Sequence, residues 1–475
     1  MAKPPRYSVD MSVAPRDRYD AVARRFKAEI AHLPSLFAEV IEEFVLGLGQ
    51  ALGMRNGLPI SAAVVIRVAK LVFRRMYSKE EEEELRGISE RTGVGVSVLI
   101  AFNVLVDTFF GCSSGGARVR SKKGKSRMLH FRTLDWGMEG LRRMVVLLEF
   151  RERVGGDVVA QSVTYAGYVG VLTGVRKGLS ISLNARPTHN NSHSFVANVR
   201  FYLHLLLVVF GRRPPISSII RSYLVPTPTS SDSPSTASPT TDPATGTSSA
   251  IANEQSPTTV HPRRTSSTAT AASTTSSAAP LILRLSPDST VKPNADLPPR
   301  AAQSLLTILT TLPAIPTTAA YLILSNGHAT AVMEKDLRDA VTRSSTSFVV
   351  CANHDEGMAE LGQEGDSDGA AEKKVKMPER SWLANSASVG MEEILKESVS
   401  RAETIRRRWK RAVGNKKGVG TEKEREEMAG EGDVVRLVSK SPINEVGITH
   451  FAAVMDPDVG RVVWCRVRTD SVEYE

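Results

Sequence analysis

Cysteine is scarce in this sequence, and its scarcity excludes two kinds of stabilised small fold. Only three cysteines occur among 475 residues, too few for a disulfide scaffold or for most cysteine-based zinc folds. Of the nine histidines, His189 and His193 share a polar, loop-like stretch but form no ligand array. We therefore expect no metal and no cofactor, and a histidine pair in that loop is the remaining alternative.

Aromatic residues are also few, which bears on the partner of a chain with net charge +10. A basic protein favours nucleic acid or an anionic membrane surface. With 6% aromatic residues the chain has few platforms on which bases could stack, and it has no RNA- or DNA-binding motif. We expect no nucleic-acid partner; salt-sensitive RNA or DNA binding would revive that alternative.

Long apolar runs are missing as well. Ile60–Met76 is broken by four basic residues, and Phe201–Phe210 is interrupted by His204. Neither approaches the ~20 uncharged residues that a membrane span requires. Met1–Val13 contains charge but no apolar core of a signal peptide. We expect a soluble protein, or one that touches a membrane from outside.

Composition changes sharply in three segments, which we expect to be disordered surface insertions. Residues 225–300 are rich in Ser, Thr, Pro and Ala and nearly without aromatics, so they cannot bury enough apolar area to offset their ordering entropy. Residues 355–380 are acidic and Gly-rich, and residues 412–433 indicate a solvated loop with at most a short charged helix. Long surface insertions cost little stability, so the remainder fits one large domain.

Outside these segments, helical patterns come first and strand patterns follow. Apolar residues at helical spacing predict helices over Asp17–Leu33, Leu36–Leu52, Ile60–Tyr77, Lys79–Arg91, Phe195–Phe210, Ala301–Leu312 and Ser388–Arg411. Alternating or short apolar runs predict strands over 118–119, 128–135, 144–150, 158–165, 168–173, 179–184, 321–324, 329–334, 348–352, 449–455 and 461–467. Helices followed by a long sheet with further helices indicate an α+β fold.

Cys112 is the first candidate for chemistry. It follows an apolar segment and precedes Ser113-Ser114-Gly115-Gly116, which predicts a turn of small residues at the head of a strand, exposed enough to react. The alternative is a buried structural thiol, as most free cysteines are.

The sequence around Cys112 resembles that of the acid ceramidase family, which includes the N-acylethanolamine-hydrolysing acid amidases. The resemblance runs from about Tyr7 to Arg466, excluding the insertions. It is carried by Cys112, Arg132-x-x-Asp135, the YVGVLTG stretch at 168–174, SLNAR at 182–186 and ANHD at 352–355. The resemblance implies an Ntn-hydrolase αββα sandwich. It also implies a helical α-subunit region at 1–111 and a β-subunit hydrolase core at 112–475, which form a heterodimer after self-cleavage at Gly111–Cys112.

The resemblance also assigns roles to five residues. Cys112 would be the nucleophile, with its new α-amine as general base. Asp135 would orient that amine, and Arg132 would lower the pKa of the thiol. Asn353 would supply an oxyanion-hole N–H, and Arg401 would support it by charge pairing.

Each role has an ordinary alternative when the residue is considered alone. Arg132 and Asp135 would form a local salt bridge, Asn353 beside Asp355 a plain turn, and Arg401 part of a solvated helix face. Their joint appearance in the family's chain order favours function. One departure is Ala185, where the family often has glutamate after the asparagine.

The function implied is hydrolysis of the N-acyl amide bond of ceramide to sphingoid base and fatty acid. The alternatives are an N-acylethanolamine amidase, or a catalytically impaired lipid-binding homologue suggested by Ala185. Such substrates lie in membranes, so Leu36–Leu52 or Phe201–Phe210 with Arg212 and Arg213 would meet an anionic surface; the alternative is that both are core helices. The family resemblance implies a lysosomal, vacuolar or secreted location, although no signal peptide is visible.

Overall fold

The computed structural model describes the following parts of the chain: residues 1–36, 67, 71–105, 111–120, 126–136, 138–189, 194–226, 281–285, 299–356, 388–414, 428–445 and 448–468. Met1–Pro228 and Pro280–Glu475 form one compact unit; a second unit, Thr229–Ala279, lies outside the described residues.

Fourteen strands are seen in the described residues. In chain order they are β1 (Arg6–Asp10), β2 (Gly111–Arg120), β3 (Ser126–Asp135), β4 (Val145–Arg151), β5 (Val158–Tyr165), β6 (Thr173–Arg176), β7 (Leu179–Ala185), β8 (Leu281–Leu285), β9 (Thr317–Ser325), β10 (Thr330–Leu337), β11 (Asp339–Ser345), β12 (Phe348–Cys351), β13 (Thr449–Asp456) and β14 (Arg461–Val467). They form a nine-stranded sheet of order β1-β4-β5-β6-β7-β9-β10-β11-β8 and a five-stranded sheet of order β12-β2-β3-β13-β14. Every pair is antiparallel except β1 with β4.

The helices of the described residues fall before, between and after these strands. They are α1 (Asp20–Arg25), α2 (Lys27–Ala31), α3 (Lys79–Thr92), α4 (Val96–Leu105), α5 (Glu139–Arg142), α6 (Phe195–Val209), α7 (Ile216–Leu224), α8 (Leu305–Thr311), α9 (Ser388–Gly414) and α10 (Glu431–Ser439). In the described part of the chain, no helix is both long and apolar enough to cross a membrane.

The two sheets pack face to face, with helices on both outer faces. Across the inner interface the Ser114 hydroxyl of β2 donates to Asn184 Oδ1 of β7 at 2.8 Å, and His130 of β3 lies between two serine hydroxyls of β7. Helices α9 and α10 cover the smaller sheet, where Trp409 packs into a buried cluster with Phe131. Helices α6 and α7 contact the larger sheet. The result is the expected αββα arrangement.

Small residues after Cys112 let the two sheets approach closely. A Cβ on Gly116 of β2 would lie 2.0 Å from the Thr330 hydroxyl oxygen of β10 in the larger sheet, so a larger side chain there would force the layers apart. A Cβ on Gly115 would lie 2.1 Å from the Val349 carbonyl oxygen of β12, the neighbouring strand of the same sheet. Residues 113–116 are therefore part of a buried strand, and the turn predicted there is wrong.

Several predicted elements are confirmed and others are corrected. Strand β5 has the predicted bounds, and α3 starts at Lys79 as expected, with the Ser78 hydroxyl accepting from the Glu81 N–H at the N-cap. The helix predicted over Asp17–Leu33 is instead the short helices α1 and α2. Leu36–Leu52 and Ile60–Tyr77 lie largely outside the described residues.

The strand predicted at Tyr168–Thr173 is wrong over most of its length, because side chains bind much of its backbone; the Leu172 carbonyl also accepts from the Leu183 N–H of β7 at 2.9 Å. Asn103 Oδ1 accepts from the Val169 N–H at 2.8 Å, and the Leu172 carbonyl accepts from Arg132 at 2.6 Å. Gly167 with φ 88° begins this irregular stretch, and β6 starts only at Thr173.

The boundaries of the expected regions also change. Residues 1–111 are not helical throughout, because β1 joins the larger sheet and Gly111 begins β2. Within the expected insertion 225–300, Leu281–Leu285 form a strand paired with β11, and most of the rest lies outside the described residues. The same holds for 355–380 beyond residue 356. Residues 412–414 end α9, and 431–433 begin α10.

Candidate active site

Cys112 is the second residue of β2 and is fully buried. The expectation of an exposed thiol in a turn is therefore wrong for the uncut chain. Its Sγ lies on the face of β2 that meets the larger sheet, 4.0 Å from the Leu183 carbonyl oxygen of β7. Burial raises the pKa of the thiol, while the positive charges of Arg132 and Arg401 act in the opposite direction.

Arg132 reaches Cys112 from the adjacent strand, β3. In the antiparallel register Arg132 stands opposite Ser114, and its side chain is completely buried. Its Nη2 donates to Cys112 Sγ at 3.2 Å and its Nη1 to the Leu172 carbonyl at 2.6 Å. The carbonyl thus fixes the guanidinium against the sulfur, where it favours the thiolate.

Asp135 ends β3 directly opposite Gly111, the residue that precedes Cys112. Its carboxylate accepts hydrogen bonds from the hydroxyls of Thr449 at 2.7 Å and Thr133 at 3.3 Å. Burial raises the pKa of Asp135; the charge of Arg401 and these two hydroxyls oppose that rise. The carboxylate therefore lies beside the Gly111–Cys112 bond and is held there by side chains of two strands.

Asn353 approaches the same bond from the loop after β12. Its Oδ1 accepts from the Cys112 backbone N–H at 2.7 Å and from Arg401 Nη2 at 3.0 Å. Two donors on Oδ1 set the orientation of the amide, and Nδ2 accordingly donates to the Ala185 carbonyl at 2.8 Å. The amide N–H thus points into the space at the end of β7.

Arg401 projects from α9 toward these groups, so a purely solvated helix face does not describe it. It is only partly exposed, contacts Asn353 and lowers the pKa of Asp135 by its charge. The neighbouring Arg407 is exposed and fits the solvated-face pattern. The structure therefore brings all five predicted residues together around Gly111–Cys112.

Sequence reasoning missed two side chains that hold these five in place. Thr449 of β13 binds Asp135, and Ser398 of α9 accepts from the Asn353 backbone N–H at 2.6 Å. Ser398 precedes Arg401 by three residues on one helix, so both face the same side. That spacing could have identified Ser398, whereas no local signal links Thr449 to a residue more than three hundred positions earlier.

Asp355 also differs from its prediction as the first residue of a disordered acidic insertion. It is buried, and its carboxylate accepts from Arg186 Nε at 2.8 Å and Nη2 at 2.6 Å, and from the Tyr321 hydroxyl at 2.8 Å. Arg186 follows Ala185, whose carbonyl binds Asn353. This bidentate ion pair fastens the end of β7 to the loop that carries Asn353.

The histidines take structural positions. The ring of His189 stacks on Phe201 with centroids 4.1 Å apart, and His193 lies outside the described residues. His130 is buried between Ser180 and Ser182, and burial lowers its pKa to about 3. Over the described ranges, no group of three His, Cys, Asp or Glu side chains could hold a metal ion.

Comparison with known proteins bears on this arrangement. A family model described as the beta subunit of N-acylethanolamine-hydrolyzing acid amidase matches residues 2–53. Acid ceramidase of Rattus norvegicus is 31% identical over 159 residues, 30% of this chain and 36% of that protein. N-acylethanolamine-hydrolyzing acid amidase of Caenorhabditis elegans is 26% identical over 235 residues, 47% of this chain and 57% of that protein.

A solved structure is also similar, that of the Caenorhabditis elegans N-acylethanolamine-hydrolyzing acid amidase ortholog, at 16% identity and a TM-score of 0.36, covering 73% of this chain and 93% of that chain. The sequence matches span roughly a third to somewhat over half of the curated relatives' lengths. The name of the family model gives a beta-subunit label to residues that the resemblance assigns to an α-subunit region. On these sequence matches, the chain is similar over part of its length to acid ceramidases and N-acylethanolamine-hydrolysing acid amidases.

Proposed function

We propose that this protein hydrolyses the N-acyl amide bond of ceramide, with Cys112 as the nucleophile after cleavage of the Gly111–Cys112 bond. One observation carries the proposal. Arg132 and Asn353, from distant parts of the chain, both bind Cys112, at 3.2 Å on the sulfur and 2.7 Å on the backbone N–H. A structural cysteine needs neither contact.

Self-cleavage is the first step of the proposal. The Cys112 sulfur attacks the Gly111 carbonyl carbon, the Gly111–Cys112 amide bond breaks, and water hydrolyses the resulting thioester. The products are segment 1–111, ending in a carboxylate, and segment 112–475, beginning with a free α-amine. Asp135 lies opposite Gly111, and Arg401 lies near it, so both charges act where the bond breaks.

The new α-amine serves as general base in turnover. Its ordinary pKa of ~7.7–8.0 is close enough to working pH for proton transfer. It takes the thiol proton as sulfur attacks the substrate carbonyl, and returns a proton to the leaving amine as the C–N bond breaks. Water then hydrolyses the acyl thioester, releasing the fatty acid and restoring the thiol. Asp135 holds the ammonium form between these transfers.

Asn353 stabilises the oxyanion in this scheme. Its Nδ2 donates to the Ala185 carbonyl, and a substrate oxygen entering that space would take the same hydrogen. Arg401 and the Cys112 amine keep Oδ1 occupied, so the N–H stays directed at the reacting carbonyl. One oxyanion-hole donor typically contributes ~2.7–4 kcal/mol to the barrier.

The fold also has an exposed apolar helix face. Helix α6 exposes Phe195, Val199, Leu203 and Leu206, which lie on one face by helical spacing, and the C-cap residue Phe210 is exposed on the same side. It buries Phe201, His204 and Val208 on the opposite face. The alternative of a core helix therefore describes only one side of α6. We propose that the exposed side, with Arg212 and Arg213 beyond its end, contacts anionic lipid.

An N-acylethanolamine amidase is the second candidate, because both activities occur among the names of the relatives. The two substrates share the acyl amide and differ in the leaving amine. Rates on ceramide and on an N-acylethanolamine of the same acyl chain, compared as kcat/KM, decide between them. A higher kcat/KM on ceramide supports the first candidate, and the reverse order supports the second.

An impaired lipid-binding homologue is the third candidate, because Ala185 replaces a carboxylate that the family often carries. The test is denaturing electrophoresis of purified protein with and without acid incubation, together with hydrolysis of labelled ceramide. Fragments 1–111 and 112–475 from wild type but not from Cys112→Ala support the enzyme. An intact chain that hydrolyses neither substrate contradicts it. Ala185→Glu, with Ala185→Gln as its uncharged control, then shows whether a carboxylate restores cleavage.

A further inference from the structure

We propose that segments 1–111 and 112–475 stay together after the cut through a buried ionic interface, anchored by Glu84 and Arg221. The proposal rests on the cleavage in the proposed function. All three cysteines of the chain, at positions 112, 351 and 465, lie in 112–475. A disulfide between the segments is therefore impossible, and their association depends on non-covalent contacts.

The anchor joins α3 of the first segment to α7 of the second. Arg221 Nη2 donates to Glu84 Oε1 at 2.6 Å, and its Nη1 bonds to the other carboxylate oxygen. The Glu84 side chain has no exposed area, and the Arg221 side chain is 6% exposed. Bidentate pairs between an arginine and a carboxylate have a specific geometry and are strong when they are shielded from water.

Neighbouring groups complete the interface around this pair. Arg18 of the first segment donates to Glu84 Oε1 at 3.0 Å, so one carboxylate serves two guanidiniums. The Ser218 hydroxyl of the second segment donates to Glu81 Oε2 at 2.5 Å. Burial raises the pKa of Glu81, and Arg221 opposes that rise.

A second polar contact lies deeper, close to the catalytic region. Asn103 of α4 donates from Nδ2 to the Gly167 carbonyl at 3.0 Å and accepts at Oδ1 from the Val169 N–H at 2.8 Å. The Val169 carbonyl in turn accepts from Arg221 Nη1 at 3.1 Å. The first segment therefore braces the loop that ends at Leu172, whose carbonyl holds Arg132.

The energetic consequence follows from desolvation. Removing one partner of a buried ion pair leaves the other charged and dry, which is far more costly than losing a surface pair. In the uncut chain, loss of one partner destabilises a single covalent chain. In the cut protein the lost contact lies between two chains, so in such a variant segment 1–111 should dissociate before segment 112–475 unfolds.

The experiment uses cleaved full-length protein immobilised through a C-terminal tag and washed with increasing urea. Segment 1–111 in each wash is measured on a denaturing gel. Unfolding of the retained segment is followed by tryptophan fluorescence, because all four tryptophans, at 136, 382, 409 and 464, belong to 112–475. The variants are Arg221→Met and Glu84→Gln. The matched control is Arg343→Met, which breaks a buried pair with Glu334 inside 112–475 at 3.2 Å.

We expect Arg221→Met and Glu84→Gln to release 1–111 at a urea concentration lower by at least ~1 M, before fluorescence changes. Arg343→Met should shift the fluorescence transition without early release. Release at the wild-type concentration, or only together with unfolding of 112–475, overturns the proposal. If wild type is not cut by itself, a protease site placed in residues 106–110 supplies the cut, so the interface is tested even when self-cleavage fails.

Discussion

The guanidinium of Arg132 lies between the sulfur of Cys112 and a backbone carbonyl, with Nη2 3.2 Å from Sγ. Burial raises the pKa of the thiol and Arg132 lowers it. Arg132→Gln should therefore raise the pKa of Cys112 further and reduce the thiolate fraction at any given pH. We expect kcat/KM to fall by at least about 100-fold, with thiol alkylation of the cleaved protein shifted to higher pH.

That outcome depends on charge rather than on packing. Arg132→Lys keeps a cation, so it should shift the alkylation profile less than Arg132→Gln does. An alkylation profile that is the same in wild type and Arg132→Gln would show that the guanidinium does not act on the sulfur.

Thr449 tunes Asp135 through the shorter of two hydroxyl contacts. Both hydroxyl hydrogen bonds lower the pKa of Asp135 against the effect of burial, so their removal raises it. In Thr449→Val the carboxylate becomes protonated at a higher pH as the pH falls. The acidic limb of the kcat/KM profile should move to higher pH, and Thr133→Val should move it less because its contact is 3.3 Å rather than 2.7 Å. Equal shifts in both variants would refute this ranking.

The exposed face of α6 predicts a difference between membrane-bound and soluble substrates. Leu203 and Leu206 are each about half exposed, at 53% and 52%, so Leu203→Glu with Leu206→Glu should leave the fold intact. We expect weaker co-sedimentation with vesicles containing phosphatidylserine, and slower hydrolysis of vesicle-embedded ceramide but not of a short-chain soluble amide. Val154→Glu, at a residue 76% exposed near the β4–β5 turn, is the control and should change neither. Undiminished vesicle binding in the double variant would exclude α6 as the contact.

Lys335 makes stability depend on pH. It is fully buried in β10, and burial lowers its pKa to about 7 from 10.5. Between those values the unfolded chain carries a proton that the folded chain lacks, so this residue makes the free energy of unfolding increase as pH rises from about 7 to 10.5. Lys335→Met should remove this contribution, which is at most about 1.4 kcal/mol per pH unit.

Urea unfolding at pH 7, 8, 9 and 10 measures the effect. The difference in unfolding free energy between Lys335→Met and wild type should shrink as pH rises. Lys177→Met, at an exposed lysine in the β6–β7 turn, should show no such trend. A constant difference between wild type and Lys335→Met across this range would mean that the buried amine keeps its proton.

Local pattern was enough for much of the fold. The apolar alternation over 158–165 corresponds to β5 in full, and the charged start at Lys79 corresponds to α3, because both depend on neighbours within a few residues. Strands β1 and β11 and helix α7 were not predicted. β1 pairs in parallel with β4, and paired residues such as Arg6 and Leu147 are 141 positions apart, so the pairing leaves no local pattern.

The candidate site shows the same division. The sequence by itself, through motifs in family order, identified five candidate residues: Cys112, Arg132, Asp135, Asn353 and Arg401. Only the tertiary structure decided that Cys112 is buried between two sheets and that Thr449 binds Asp135. It also decided that Asp355, at the start of an acidic segment, is buried in an ion pair with Arg186. The physical reason is that burial and long-range hydrogen bonds are properties of packed layers, and each layer here is built from distant parts of the chain.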